Sequence, residues 1–272
     1  MKHITRSIAA LPLLLALLSP QRIDAQILSR GDLFGPGAPP PFAGIEVALG
    51  KHAQQGTFDA SCGCTFQNGD GTGFMGAAFF ELPLDYSWAI GLKAGVDFKN
   101  TKSTFGITES AIIQSGTAGG AYDTVAQMPL NRIGTVSMTY LNLLPYVQFQ
   151  FYRMGPFVQA GLQAGMLLSN HFTQQRELTQ TSIVVNGSPV TDLRFQNGTI
   201  DETLDDTTIT DVSKLRLGLV LSAGYNVQVS ERSVLSPLLT YDFPLTTVRT
   251  TNASGWKIGS LYASVELKFR LD

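Results

Sequence analysis

The fold is decided by the C-terminal stretch SLYASVELKFRLD, residues 260–272, in which apolar and polar side chains alternate. The odd positions from Leu261 to Leu271 are apolar throughout. The even positions include Glu266 and Lys268. A period of two is the period of a β-strand, because successive side chains leave a strand on opposite faces. Such a strand fits either a soluble sandwich with one wet face or an outer-membrane barrel whose apolar face meets lipid.

The N-terminal residues indicate export. A short basic start is followed by an apolar run over residues 8–18 and a small residue at Ala25. This is the pattern of a cleaved secretory signal peptide, and the run is shorter than the about 20 residues of a spanning helix. We therefore predict a signal peptide over residues 1–25, a Gly/Pro-rich periplasmic lead over 26–41 and one β-domain over 42–272.

The composition narrows the class of protein. Charged residues make up 15% of the chain, glycines number 27, and the formal net charge is −2. A chain without a basic excess has no electrostatic footprint for nucleic acid. No later apolar run reaches the length of a spanning helix, so an exported and mildly hydrophobic chain of this kind favours a membrane barrel.

Eight segments alternate like strands, and the connections between them differ in length. Long connections follow the first, third and fifth strands, and the last two cover about residues 101–134 and 171–211. The other connections are short, apart from a moderate one near residues 250–255. Outer-membrane barrels place their long loops at one end. We therefore predict an all-β, eight-stranded antiparallel up-and-down transmembrane barrel with three long outer loops and short periplasmic turns.

The alternation also assigns charged side chains to the lumen. Both signs of charge occur on the predicted inward faces. The residues are Glu46, Lys93, Asp97, Arg216, Asp242, Glu266 and Lys268. Because an eight-stranded barrel is only wide enough to be filled by side chains, we expect these charges to form a salt-bridged plug. An ion path through the lumen is the alternative.

Two further residue types bear on the strands. Aromatic residues near the strand ends are expected to form the girdles at the two membrane interfaces. They are Phe74, Trp88, Phe98, Phe151, Tyr152, Tyr225 and Trp256. Pro145 and Pro237 fall inside predicted strands, where each removes the N–H of a ladder hydrogen bond and requires a local interruption.

The fourth and fifth strands carry a resemblance to a known family. The segments are TYLNLLPYVQFQF, residues 139–151, and GPFVQAGLQAGMLL, residues 155–168. Together with the signal peptide and the amphipathic C-terminal strand, they resemble small bacterial outer-membrane β-barrel proteins of the porin family, which are similar to the OmpA transmembrane domain. The resemblance implies an integral protein of the Gram-negative outer membrane. In contrast to many such barrels, the chain ends on Asp272 and not on an aromatic residue.

The reactive residue types give no catalytic motif and no metal site. His52 and His171 lie near the outer ends of strands, but no GxSxG-like or HExxH-like pattern accompanies them. Cys62 and Cys64 are the only cysteines, and in an oxidising compartment they are expected to close a loop disulfide. A metal site with His52 is the weaker alternative.

We therefore expect a non-enzymatic surface barrel that needs no cofactor and that binds an external ligand or partner protein through its long loops. Its other expected partners are outer-membrane lipid, lipopolysaccharide and the barrel assembly machinery, with no nucleic acid. Three alternatives stay open: a small diffusion pore, a component of an export or motility apparatus, and a barrel enzyme that acts on lipid.

Overall fold

The computed structural model describes residues 40–59, 64–115, 124–152, 154–185, 188–249 and 255–271. The predicted signal peptide and nearly all of the predicted periplasmic lead therefore lie outside the described residues. No helix in the described part of the chain is long and apolar enough to cross a membrane.

The described residues form fifteen β-strands, numbered here in chain order. They are β1 (Phe42–Gln55), β2 (Phe58–Asp59), β3 (Thr65–Phe66), β4 (Asp70–Pro83), β5 (Trp88–Ser115), β6 (Thr124–Gln150), β7 (Pro156–Leu178), β8 (Ser182–Val185), β9 (Ser188–Thr191), β10 (Leu193–Phe195), β11 (Asp201–Thr207), β12 (Leu215–Tyr225), β13 (Val227–Gln228), β14 (Ser233–Pro244) and β15 (Lys257–Arg270).

Eight of these strands form a closed antiparallel ring. The ring runs in the order β1, β4, β5, β6, β7, β12, β14 and β15, and each strand pairs with the next. The ring closes where β1 pairs with β15 along its whole length, from Phe42 with Arg270 to Gln55 with Lys257. The prediction of an eight-stranded antiparallel up-and-down barrel is confirmed, and the terminal alternation belongs to its closing strand.

The alternation of side chains along the ring has the sense that a membrane barrel requires. Aliphatic side chains such as Leu49 (75% exposed) and Leu162 (61% exposed) point outward, whereas the polar positions between them are buried. A soluble protein would bury its aliphatic face. In a lipid bilayer the same arrangement places the aliphatic face against acyl chains, and the closed ring leaves no strand edge unpaired in lipid.

The connections fall into two classes by position, as predicted. Short turns join β4 to β5, β6 to β7, and β13 to β14, all at the end of the barrel where Phe42 begins β1. The longer connections leave the opposite end. We call these the turn side and the loop side of the barrel.

The extents of two predicted loops are wrong. Most of the segment 101–134 is regular strand, because β5 and β6 remain paired from the barrel up to Ile113 and Thr124. In the segment 171–211, β7 continues to Leu178, and β8 to β11 add four short strands. The alternation of hydroxyl and apolar side chains in Thr104–Thr108 is a strand pattern that its polar composition conceals.

These long strands build a sheet that protrudes from the loop side, which we call the extension. It consists of the upper parts of β5, β6 and β7 with β10 and β11. Its inward face has an apolar core. The buried members of that core are Met128, Leu130, Leu178, Leu193 and Phe195.

The extension also contains its own ion pairs. Arg132 on β6 pairs with Glu109 on β5, and Arg176 on β7 contacts both Glu109 and Glu202. The guanidinium of Arg176 lies 4.8 Å from the centroid of the Phe195 ring. Paired charges and an apolar core explain why this sheet stays ordered outside the barrel.

The two strand prolines lie where the ladder is interrupted. Pro145 pairs with Leu92 on the β5 side, but the β6–β7 pairing skips from Leu143 to Tyr146. Pro237 pairs with Val265 on the β15 side and lies opposite the break between β12 and β13. Neither proline therefore removes a hydrogen bond from a continuous ladder.

The outward aliphatic face yields a stability prediction. Replacing Leu162, near the middle of β7, with arginine is expected to lower the free energy of unfolding by about 2–4 kcal/mol, because it places a charge near the bilayer midplane. The measurement is urea unfolding of the barrel folded in lipid vesicles. Val184→Arg in β8 is the matched control, since Val184 is also 72% exposed but lies outside the ring. Equal effects of the two variants would contradict the lipid-facing assignment.

Candidate functional site

The barrel interior holds the predicted site residues. All seven inward charges predicted from the alternation are buried, each with at most 5% of its surface exposed. They are Glu46, Lys93, Asp97, Arg216, Asp242, Glu266 and Lys268. The structure divides them between two hydrogen-bonded networks, one nearer the turn side and one nearer the loop side.

The turn-side network contains two lysines and three glutamates. The Nζ atom of Lys93 lies 2.8 Å from Oε2 of Glu46 and 2.5 Å from Oε1 of Glu266. The Nζ atom of Lys268 lies 3.0 Å from Oε2 of Glu81 and 3.3 Å from Oε2 of Glu266. Glu266 therefore links the two lysines, and the five side chains form one chain of alternating charge across the lumen.

The position of Lys93 is set by the strand register. Glu46 and Glu266 are directly opposite each other in the β1–β15 ladder. Like charges at opposed positions of a ladder repel and destabilise the pairing. Lys93, which reaches across from β5, binds both carboxylates and converts the repulsion into two ion pairs.

The loop-side network is built around Lys99 and Asp242. The Nζ atom of Lys99 lies 3.0 Å from Oδ2 of Asp97 and 3.2 Å from Oδ2 of Asp242, and Arg216 contacts the same Asp242 oxygen at 2.6 Å. The hydroxyl of Tyr262 accepts a hydrogen bond from Lys99 and donates one to Asp97. Every charged group of this network has an opposite charge within hydrogen-bond distance, as burial requires.

The sequence analysis missed two members of these networks. Lys99 has the same parity on β5 as Lys93 and Asp97, so the alternation could have identified it. Glu81 lies in the run AAFFEL of β4, where adjacent apolar residues hide the alternation. The register resolves it, because Phe79 is buried on the lumen side while Phe80 is 47% exposed on the outer side.

Inward glycines make room for inward aromatic rings. A Cβ atom on Gly91 would lie 2.2 Å from Cζ of Tyr146, and one on Gly50 would lie 2.5 Å from Cε1 of Tyr262. Tyr146 in turn donates a hydrogen bond to Glu81 at 3.0 Å. The glycines thus allow tyrosine side chains to cross the lumen and to take part in the charge networks.

An apolar cluster, which we call the cap, closes the loop side above the networks. Its buried members are Phe58, Cys64, Phe66, Val136, Met138, Tyr140, Phe172, Ile209, Val248, Trp256 and Ile258. The small hairpin β2–β3 supplies Phe58 and Phe66, and the ring of Phe58 lies 4.6 Å from that of Trp256. The assignment of Trp256 to an interface girdle is therefore wrong, since it is 1% exposed inside the cap.

The other predicted girdle residues point outward and are at least 37% exposed. They are Phe74, Trp88, Phe98, Phe151, Tyr152 and Tyr225. Several of them meet across strands, as Phe74 and Phe98 do with ring centroids 4.3 Å apart. Their positions fit an aromatic belt at the membrane interfaces.

The cysteine prediction bears on the same cap. Cys64 is buried against the cap and is not a free thiol. Cys62 lies outside the described residues, so the Cys62–Cys64 disulfide stays a prediction. Among the described residues, no group of three or more His, Cys, Asp or Glu side chains is placed to hold a metal ion.

The two histidines have different surroundings. His52 is fully buried in the barrel, where its Nδ1 lies 2.8 Å from Oγ of Ser260, so its assignment to a polar rim is wrong. His171 is exposed on the outer face, with its Nε2 2.6 Å from Oδ1 of Asp206. Ser137 lies opposite His171 in the β6–β7 ladder but donates its hydroxyl proton to Asn100 at 3.5 Å.

This arrangement of strands agrees with the comparison to known families. The sequence profile of the outer membrane protein beta-barrel domain matches residues 42–249. The chain belongs to this family. The barrel is accordingly an outer-membrane protein, and the predicted family resemblance is confirmed. A search of curated protein sequences finds no significant match.

Solved structures with a similar chain path are small outer-membrane barrels. Ail, the attachment invasion locus protein of Yersinia pestis, in complex with a heparin analogue, is 9% identical, with 85% of this chain and 99% of that chain covered and a TM-score of 0.33. Neisserial surface protein A is 12% identical, with 85% and 97% covered and a TM-score of 0.30. The outer membrane protease OmpT from Escherichia coli is 12% identical, with 85% and 97% covered and a TM-score of 0.31.

The shared lysine of the turn-side network is expected to be critical for stability. Lys93→Met leaves Glu46 and Glu266 facing each other without a cation, and loss of one partner of a buried pair typically costs about 3–5 kcal/mol. Urea unfolding in lipid vesicles measures the loss, and adding Glu266→Gln should recover part of it. Lys102→Met, at an exposed position of β5, is the matched control. A variant as stable as the control would show that the network contributes nothing.

The cap is expected to unfold without the barrel when its largest side chain is removed. Trp256→Ala should destabilise the cap by about 3–5 kcal/mol, the usual cost of truncating a buried tryptophan. Hydrogen exchange of the β2–β3 amides should rise, whereas exchange in β15 below Tyr262 should not change. Trp88→Ala at the outer surface is the control. Unchanged exchange in β2–β3 would show that the cap is not held by Trp256.

Proposed function

We propose that this protein is a closed, non-enzymatic outer-membrane barrel that displays its extension at the cell surface to bind an external partner. The observation that carries the proposal is that the interior is blocked at three levels: the turn-side network, the loop-side network and the cap. A small cavity of about 20 Å³ lies between the networks, lined in part by Glu46, Gln163 and Asp242. It holds about one water molecule, which is far from a continuous aqueous path.

The ion networks support a plug in preference to an ion path. A permeating ion would have to displace Lys93 or Lys99, and each of these ammonium groups is held by two carboxylates. Breaking such buried pairs is costly because it leaves uncompensated charges in a low-dielectric interior. The filled lumen therefore provides rigidity and leaves transport without a route.

The extension supports a role in binding. Surface loops that carry function are usually positioned by a rigid scaffold, and here the scaffold is the barrel. From Lys102 to Ser115, β5 extends for roughly 43 Å along its own direction beyond its pairing with β4. This length brings the extension well beyond the barrel rim, where an external protein or surface ligand could reach it. Export through a cleaved signal peptide and contacts with lipopolysaccharide and the assembly machinery belong to this proposal.

Planar-bilayer recording tests the closed lumen. The refolded chain, with its folding confirmed by a gel heat shift, is expected to give no single-channel steps. The double variant Phe58→Ala/Trp256→Ala is expected to stay silent as well, because both charge networks lie beneath the cap. Steady conductance steps from the unaltered chain would contradict the proposal and would favour a diffusion pore.

A second candidate function rests on the His171–Asp206 pair. An imidazole bonded to a carboxylate and facing the outer surface has the arrangement of an acid-base group in a hydrolase. The absence of a hydroxyl bonded to His171 among the described residues makes this the weaker candidate. Incubating the folded barrel with phospholipid and lipid A tests it. Hydrolysis that disappears in His171→Ala would favour the enzyme, and no hydrolysis would favour the binding role.

A further inference from the structure

The extension has one strand whose outer edge is open. β4 pairs with β5 up to Lys102, and β10 pairs with it only from Ile113 to Ser115. Between these points, residues 104–112 pair with β6 on one side. On the other side they pair with no strand of the described chain, and their N–H and C=O groups on that side point outward over about 30 Å.

The two edges of the extension are protected to different degrees. The far edge is β11, whose sequence DETLDDT carries four acidic residues and whose pairing with β7 has a register shift between Thr203 and Asp205. Charges and bulges of this kind prevent the addition of another strand. Residues 104–112 contain no lysine or proline, and their register with β6 is continuous. The exposed side chains of this edge, such as Thr108, are small and uncharged.

We propose that residues 104–112 of β5 are a docking edge to which an extended segment of a partner polypeptide adds as a further strand. The proposal rests on the surface-binding function proposed above and names the class of partner. An open and flat strand edge without protective charges is the standard acceptor for strand addition, in which main-chain hydrogen bonds supply the affinity.

The neighbouring side chains define the chemistry of the partner segment. On the inward face, Phe105 packs against the cap and Ile107 against the core of the extension, and both are only partly buried. An added strand with apolar side chains on this face would complete their burial. Glu109 is already paired with Arg132 and Arg176, so it creates no demand for a cation. The partner segment is therefore uncharged, with apolar residues alternating with small hydroxyl residues.

A second copy of the chain in the same membrane does not meet this requirement. Two barrels in one membrane both direct β5 outward, so a two-fold axis along the membrane normal would pair their edges in parallel. That operation turns one sheet over relative to the other and places the apolar face of one beside the hydroxyl face of its neighbour. The apolar side chains would then not meet, which favours a separate polypeptide as the partner.

The experiment uses the full mature chain refolded in lipid nanodiscs and the labelled peptide KTVTVTVTK, whose central residues alternate threonine and valine. We expect saturable binding by fluorescence anisotropy, together with slower hydrogen exchange of the amides in residues 104–112. Thr108→Lys should weaken binding at least about tenfold, because it places a charge at the docking edge. Thr203→Lys, the same change on β11, is the matched control and should alter binding less than about twofold.

A peptide that is N-methylated at alternate residues provides the second test, since it cannot donate ladder hydrogen bonds and is expected not to bind. Binding that ignores both N-methylation and Thr108→Lys would overturn the proposal. So would failure of the unmodified peptide to bind, or amides in 104–112 that are already protected without peptide. A barrel that binds no peptide but remains silent in planar bilayers would lose only this docking edge. Conductance would instead remove the closed-barrel function.

Discussion

The structure depends on the way Lys93 resolves a conflict created by barrel closure. Closing the ring places Glu46 on the first strand directly opposite Glu266 on the last, and two buried carboxylates in that position repel each other. Lys93 lies within 2.8 Å of both and comes from a third strand. The ion pairs therefore link three strands across the lumen at the seam, where the first and last strands meet.

From this seam the interior extends in both directions as a filled volume. Lys268 and Glu81 continue the chain of charges toward the turn side, and Lys99, Arg216 and their carboxylates occupy the loop side. Tyrosine rings cross the lumen over glycines, and the cap covers the loop-side end. Because each layer is packed against the next, the barrel resembles a solid support more than a conduit. The surface available for recognition is then the extension.

The sequence analysis succeeded where a single face decided the position of a residue. Strict alternation in β15, and in β5 around Lys93 and Asp97, allowed the ring, its parity and most of the inward charges to be predicted. It failed where the pattern was weak or where tertiary packing took precedence. The two adjacent phenylalanines of β4 concealed Glu81, and the hydroxyl-rich residues of β5 were interpreted as a loop although they continue as strand.

The position of Trp256 shows a different reason for failure. Its place near a strand end is typical of an interface girdle, but the hairpin β2–β3 folds over the barrel end and contacts its ring. No local pattern predicts that a two-residue strand from a distant loop will cover a strand end. His52 is buried beneath the same structure, so its place near a strand end did not make it a rim residue.

The central claim is that the lumen is a dry set of shared ion pairs, and nuclear magnetic resonance of the lysine ammonium groups tests it most directly. The mature chain, labelled with ¹⁵N-lysine and folded in nanodiscs, is predicted to show slowly exchanging Nζ protons for Lys93, Lys99 and Lys268. Each signal should disappear when its own lysine is replaced by methionine. Ammonium protons that all exchange rapidly with water would contradict the claim, because they would reveal a hydrated lumen.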